Sequence, residues 1–422
     1  MSNPRRPRIL TLSRSYPSEA FPNLGLWVEQ PTVRVAESAD VRVLSPVPYC
    51  PPVPSVGPLR RYARFRSVPT RETRHGIEVE RPRFLAGPGG SLHRWEATAQ
   101  YAGVRRRVDS IRGRFDFDLI HAHFIYPEGA VAHRLSRRYG VPFVVTEHAP
   151  WTAERFALES VRGEALSAAR DASALFAVST SVRETIVGYT GDHEQVRVIP
   201  VGVDAARFVR RLDVPRRTDQ ILYVGWLNYN KGVDVLLHAV AELRRQGRPG
   251  SLTLVGGSYF RDTQRQESEL RRLATALDLG DRVTFAGQLP QAEVARLMAE
   301  SAVVVLPSRA ESFGAVLVEA LACGTPVVAT RCGGPEDIVT SEVGRLIEPG
   351  EPKLLAQAID SVLSTPDEFP PERLREYALE RFDWGKIVDD LHALYAEVTA
   401  RPRVSVRGAR TDLKAVGSQW RA

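Results

Sequence analysis

The chain has 422 residues, 43% of them hydrophobic and 25% charged, which is too long for one ordinary core and too balanced for a collagenous, disordered or membrane-embedded protein. Its net charge of +7 is uneven: residues 51–115 hold fourteen arginines against five acidic residues, so an anionic neighbour competes there with a merely solvated basic face. Three cysteines, Cys50, Cys323 and Cys332, are odd in number and lack CxxC spacing, which argues against a disulfide framework or a cysteine metal site.

The N-terminal "MSNPRRPRILTLSRSYP" carries an apolar run far shorter than a signal-peptide core, and no segment reaches membrane-spanning length. A cytoplasmic protein is the expectation. The first half then alternates β-rich runs at 8–13, 40–45, 117–123, 141–148, 172–179 and 196–204 with helical patterns, the signature of a parallel sheet covered on both faces. Residues 46–90, rich in Pro, Gly and Arg, read as long loops or an antiparallel excursion. The pattern restarts with a strand at 220–226, a helix at 231–246, a strand at 251–257 and a helix at 263–277. It continues with a strand at 282–287, a helix at 290–299, a strand at 302–308, a helix at 314–322 and a strand at 325–330. The expected fold class is therefore α/β, with two doubly wound Rossmann-like domains facing across a cleft and a boundary near 205–218.

Strand-to-helix junctions are where such a fold does chemistry, because helix N-termini present unpaired N–H groups that attract phosphate. The junction "SRAESFGAVLVE" is the most informative. Gly314 lets a ligand approach the first helical turn, and Glu319 lies five residues on, about 7.5 Å farther along the axis. Glu311 and Glu319 could bracket one elongated ligand with phosphates between them. Equally, Glu311 could be a solvated loop acid and Glu319 the wet face of an amphipathic helix. Only four of the 57 basic residues are lysines, which singles out Lys231 in "GWLNYNKG". His121, His123 and His148 could be drawn together as a zinc site, but no helix motif supports it, and strand-end packing is the better reading for the first two.

"ESFGAVLVE" followed by "ALACGTPVVATRCGGPEDIV" resembles the EX7E signature of retaining GT-B glycosyltransferases, in particular glycosyltransferase family 4. "VGWLNYNKGVDVLLHAV", "VIPVGVD" and "HAHFIYPEGAVAHRL…VPFVVTEH" extend the resemblance over most of the chain. It implies an acceptor-side domain over 1–205, a nucleotide-sugar-binding domain over 206–382, a helix at 383–400 crossing back to the first domain, and a loose basic tail at 401–422. It also assigns the site. Glu319 would take the ribose hydroxyls, Glu311, Phe313 and Gly314 the donor sugar, and the amides of Val316 and Leu317 the diphosphate. Lys231 would neutralise the leaving phosphate, Gly25 would face the phosphates and His148 would lie beside the transferring sugar. Catalytic roles thus fall to Glu311, His148 and Lys231.

The implied activity is hexosyl transfer from a UDP- or GDP-linked sugar to a glycan or lipid-linked acceptor hydroxyl, in polysaccharide or glycolipid synthesis. The leaving phosphate would take the acceptor's proton, and no metal or other cofactor is expected because no DxD element appears. Two departures stand out: Trp226 occupies the family's usual arginine position, and Val201 stands where asparagine is commoner. Arg309 is the expected substitute for that missing charge.

A non-catalytic relative that binds a nucleotide sugar without transferring it is the alternative that Trp226 keeps open. A dinucleotide oxidoreductase would need G-x-G-x-x-G after the first strand, where "RSYPSEAFPNLG" stands instead. No nucleic-acid module is recognisable in residues 51–115, and their basic, aromatic character suggests peripheral docking on the inner face of the cell membrane.

Overall fold

A computed structural model describes residues 5–50, 63–87, 92–211, 215–248, 250–257 and 261–400. Two parallel sheets dominate. The first is built from β1 (Arg8–Leu12), β2 (Asp40–Leu44), the hairpin β4 (Arg71–Arg74) and β5 (Ile77–Glu80), and β7 (Leu119–His123), β8 (Phe143–Glu147), β9 (Ala174–Ala177) and β10 (Val196–Val198), while β3 (Val47–Pro48) and β6 (Arg83–Phe84) pair beside it as a separate two-stranded ribbon. The eight-stranded sheet has the order β10-β9-β8-β7-β1-β2-β5-β4, parallel throughout except for the β4–β5 pair, which is the excursion expected after residue 46. Around it lie α1 (Leu26–Val35), α2 (Glu96–Arg112), α3 (Ala130–Tyr139), α4 (Glu159–Asp171) and α5 (Thr180–Thr190).

The second sheet runs β13-β12-β11-β14-β15-β16, all parallel: β11 (Arg217–Val224), β12 (Ser251–Val255), β13 (Val283–Gly287), β14 (Ser301–Leu306), β15 (Val327–Thr330) and β16 (Gly344–Ile347). Helices α6 (Val233–Arg245), α7 (Arg261–Ala276), α8 (Gln291–Glu300), α9 (Ala315–Ala322), α10 (Pro352–Ser364) and α11 (Pro371–Phe382) surround it. The strands are continuous apolar runs because both faces are covered: Val303, Val304, Val305, Leu306, Val327, Val328 and Ala329 are all buried.

In each sheet the chain order reverses beside the first strand, between β1 and β7 and between β11 and β14. A doubly wound sheet opens its binding crevice at that switch point, because the two flanking helices leave on opposite faces. Helix α12 (Trp384–Ala400) follows α11 and packs on α1. Its Tyr395 hydroxyl meets His121 Nδ1 at 2.7 Å. Asp337 also ties the two domains, its carboxylate accepting from the Thr180 N–H at the start of α5 at 2.6 Å. Both sheets, their switch points and their facing arrangement match the expected fold class. The run expected as a strand over 196–204 is one only as far as Val198; beyond Pro200 the chain crosses to the second domain, and Val203 pairs instead with Phe382.

Candidate active site

Glycines set the floor of the site. Gly25 caps α1 with φ 83°, and a Cβ there would lie 2.1 Å from the Ser15 carbonyl oxygen, so the loop after β1 closes only over a bare backbone. Gly314 caps α9 with φ 94°, with Leu306, Leu317 and Glu311 side chains already around its empty Cβ position. Gly256 packs so tightly on Gly225 that a Cβ would meet its carbonyl oxygen at 1.8 Å, which brings the ends of β11 and β12 together.

Gly225, Gly256 and Gly257 line a cavity of about 300 Å³ to which both domains contribute. Asn23, Leu26 and Trp27 come from the first; Trp226, Gln288 and Glu319 are among those from the second. Glu319 has no side-chain hydrogen-bond partner among the described residues, and burial pushes its carboxyl up to about 8, with Arg207 pulling the other way. Gln288 and Leu289, which also line it, lie in the "FAGQLP" stretch just after β13.

Lys231 follows β11 and Glu311 follows β14, and the switch point between those strands brings them into contact, Nζ to Oε2 at 2.6 Å. Ser308 Oγ lies 3.5 Å from the same carboxylate oxygen. Neither Lys231 nor Glu311 lines the cavity around Glu319; they sit at the opposite, N-terminal end of α9. The two acids of the "ESFGAVLVE" segment therefore do different things, as their spacing along the helix requires.

Two expected contacts are corrected. The Leu317 N–H already donates to the Gly314 carbonyl at 2.9 Å in a tight first turn, so it is not available to a diphosphate; Ala315 and Val316 find no acceptor for theirs among the described residues. Arg309 does not stand in for the arginine replaced by Trp226. Its guanidinium forms a bidentate pair with Asp234 at 2.8 and 2.7 Å, donates to the Tyr229 carbonyl and covers the Tyr229 ring. That pairing ties the β14–α9 loop to the start of α6. The Phe313 side chain is buried edge-on against Phe382, and its backbone packs closely on Gly334.

On the other side of the cleft, His148 follows β8 and its Nε2 meets His123 Nδ1 at 2.9 Å. His121 joins Tyr395 and Thr146, each at 2.7 Å, so these rings bond to protein partners instead of converging on one point. No group of three metal-ligating side chains occurs among the described residues. The sequence reading missed Glu147. This buried carboxylate accepts from the N–H groups of Ile125, His148 and Ala149 and from the Trp151 indole, all between 3.0 and 3.2 Å, and pairs with Arg155 at 3.2 Å. A charged residue closing an otherwise apolar strand, "FVVTE", was the available signal.

Two Rossmann-like domains with their strand ends turned to a shared cleft define the GT-B class. The sequence matches the family model described as Glycosyltransferase Family 4 over residues 40–207 and that described as Glycosyl transferases group 1 over 205–381. It is 32% identical over 370 residues to a D-inositol 3-phosphate glycosyltransferase of Salinispora tropica, covering 79% of this chain and 75% of the relative. It is 34% identical over 306 residues to the protein of the same name from Frankia alni, covering 67% and 75%. Sucrose-phosphate synthase of Thermosynechococcus elongatus superposes with a TM-score of 0.77 at 23% identity, over 94% of this chain and all of that one. HepE of Anabaena, solved with UDP, superposes with a TM-score of 0.71 at 23% identity, over 92% and 100%. The chain belongs to glycosyltransferase family 4 and is a glycosyltransferase.

Proposed function

We propose that the protein is a retaining glycosyltransferase that moves a sugar from a UDP-linked donor to a hydroxyl of a sugar or phosphorylated polyol, without a metal ion. The observation that carries this reading is the chemistry along α9: a Glu319 carboxyl in the cavity with no hydrogen-bond partner among the described residues and, about one turn back, the unclaimed N–H groups of Ala315 and Val316 at the helix end where Lys231 meets Glu311. Ribose hydroxyls would donate to Glu319, the diphosphate would rest on the Ala315 and Val316 amides and Lys231, and Glu311 and His148 would hold the sugar.

As the bond between the anomeric carbon and the phosphate oxygen breaks, positive charge grows on the sugar and negative charge on the diphosphate. Amides and an ammonium already in place stabilise the latter without reorganising. The acceptor oxygen bonds to the anomeric carbon on the face the phosphate leaves, and its proton passes to the departing phosphate oxygen. No protein nucleophile is needed for that balance. Solved forms of HepE with UDP, with UDP and glucose, and with UDP-glucose support the choice of base, and the names of the sequence relatives support an inositol phosphate as the first acceptor to try.

A lipid-linked acceptor in glycolipid or polysaccharide synthesis is the second reading, favoured by exposed apolar side chains around the β3–β6 ribbon. Leu85 is 68% and Trp95 54% accessible, and Tyr49 and Leu92 are also exposed. Attachment to the inner face of the membrane belongs with that reading.

The test is a panel of UDP-, GDP- and ADP-sugars. A UDP-sugar at about 100 times its dissociation constant should add about 2.7 kcal/mol of stability, and nucleotide release should depend on the acceptor. Lys231→Ala should weaken binding or slow transfer by about 1.5–3 kcal/mol, the worth of a charge-assisted hydrogen bond. A product of inverted anomeric configuration, or activity that a chelator removes and manganese restores, would overturn the mechanism.

A further inference from the structure

His148 is held from two sides by groups that touch no part of the cavity around Glu319. His123 is the last residue of β7, and β7 pairs with β8 so that His123 lies opposite Thr146, two residues before His148. The two rings lie nearly parallel, 5.2 Å apart at 21°, and share the 2.9 Å contact between His123 Nδ1 and His148 Nε2. Phe124 packs on His148 at 5.2 Å and 55°. To place that ring, Phe124 adopts φ 73° and ψ 137°, a conformation that side chains rarely adopt and that clusters where function needs it. Behind His123, the His121 ring stacks at 4.4 Å and is fixed at both nitrogens by Tyr395 and Thr146.

We propose that His123 is a positioning residue for His148: it holds the His148 imidazole in one orientation and one tautomer, with the Nδ1 edge left for the donor sugar. A hydrogen bond between two neutral imidazoles contains one proton: where His123 Nδ1 donates, His148 carries its own proton on Nδ1, and where His148 Nε2 donates, Nδ1 is a bare acceptor, so the direction of this one bond sets what His148 offers the sugar. Burial keeps both rings neutral, pulling His148 down to about 3 and His123 well below the ordinary range, so the shared proton is not lost to a second charge. His148 Nδ1 has no partner among the described residues, whereas its Nε2 is taken. Glu147 fixes the backbone on which the ring sits, through the N–H groups of His148 and Ala149. The stack ends on α12, so the helix that follows the second domain buttresses the histidines at the ends of β7 and β8.

This inference rests on the assignment of His148 to the transferring sugar, and the experiment separates the two. His148→Ala tests the assignment; parental turnover in that variant would remove both. His123→Leu keeps apolar bulk and removes the nitrogen, and should lower kcat about tenfold or more, as loss of a fixed reacting geometry does, with the dissociation constant for UDP unchanged. His123→Asn returns a polar atom near the Nδ1 position and should restore most of the loss. Nitrogen-15 spectra of the imidazoles should show one His148 tautomer in the parent and in His123→Asn, and a mixture in His123→Leu. If His148→Ala is impaired while His123→Leu turns over at the parental rate, or keeps a single His148 tautomer, the positioning role is overturned. If the loss in His123→Leu follows thermal stability alone and is equal in His123→Asn, it is likewise overturned.

Discussion

Burial pushes the Glu319 carboxyl up to about 8, with no hydrogen-bond donor to its side chain among the described residues. The unfolded chain releases that proton near the ordinary value of 4.5, so between about 4.5 and 8 the folded state binds more protons than the unfolded one. Stability therefore falls as pH rises through that window, with the whole penalty present above 8. Glu319→Gln keeps the shape and removes the titration. Thermal unfolding should show the variant gaining on the parent at pH 8 and matching it at pH 4, while UDP binding weakens because an amide is a poorer acceptor for two ribose hydroxyls. A variant less stable than the parent at pH 8 would show that the carboxyl is already satisfied. The pairing of Lys231 with Glu311 is the opposite case, two side chains that satisfy each other.

At the scale of elements, what matters is how strands end. The same left-handed backbone serves different purposes at two glycines of the first domain. Gly140, φ 64°, ends α3 with nothing within 4 Å of its missing Cβ, whereas Gly25, φ 83°, sits against the Ser15 backbone. Alanine at 140 should cost only the conformational penalty, about 1 kcal/mol, and leave transfer intact. Alanine at 25 must also displace the β1–α1 loop and should cost about 2 kcal/mol or more together with most of the activity. Urea midpoints and turnover of the two variants check this, and equal effects would show that the loop yields freely.

The alternating strand and helix pattern, and the helix start within the "ESFGAVLVE" segment, were legible because they are local. Periodicity and a glycine cap are properties of neighbouring residues. Arg309 was misjudged because its partner Asp234 is 75 residues away in sequence. The Leu317 amide was misjudged because one tight turn, and not the helix as a whole, decides which N–H groups remain open.

For the whole molecule, the arginine-rich segment changes meaning once folded. Arg60, Arg61 and Tyr62 lie outside the described residues, but many of the rest are used internally. Arg74 pairs with Glu29, Arg81 with Glu72, Arg112 with Asp116, and both Arg107 and Arg114 with Glu80, while Arg83 donates to two carbonyls of the 65–68 loop. A membrane contact here would depend less on charge than the composition implies and more on Leu85 and Trp95. If docking occurs, sedimentation with phosphatidylglycerol vesicles should survive moderate salt and be lost in a Leu85→Ser, Trp95→Ser variant that still uses a soluble acceptor. No binding, or equal binding by parent and variant, would leave the soluble acceptor standing.

By itself the sequence determined the number of domains to expect, the parallel α/β class and the helix start that carries Glu311 and Glu319, since each follows from spacing along the chain. Only the tertiary structure decided that Lys231 meets Glu311, that Asn23, Leu26 and Trp27 share a cavity with Glu319, and that Tyr395 reaches back to His121. Those pairings join residues far apart in the chain. They depend on where the strand order reverses in each sheet and on how the two sheets face one another, and no local pattern encodes either.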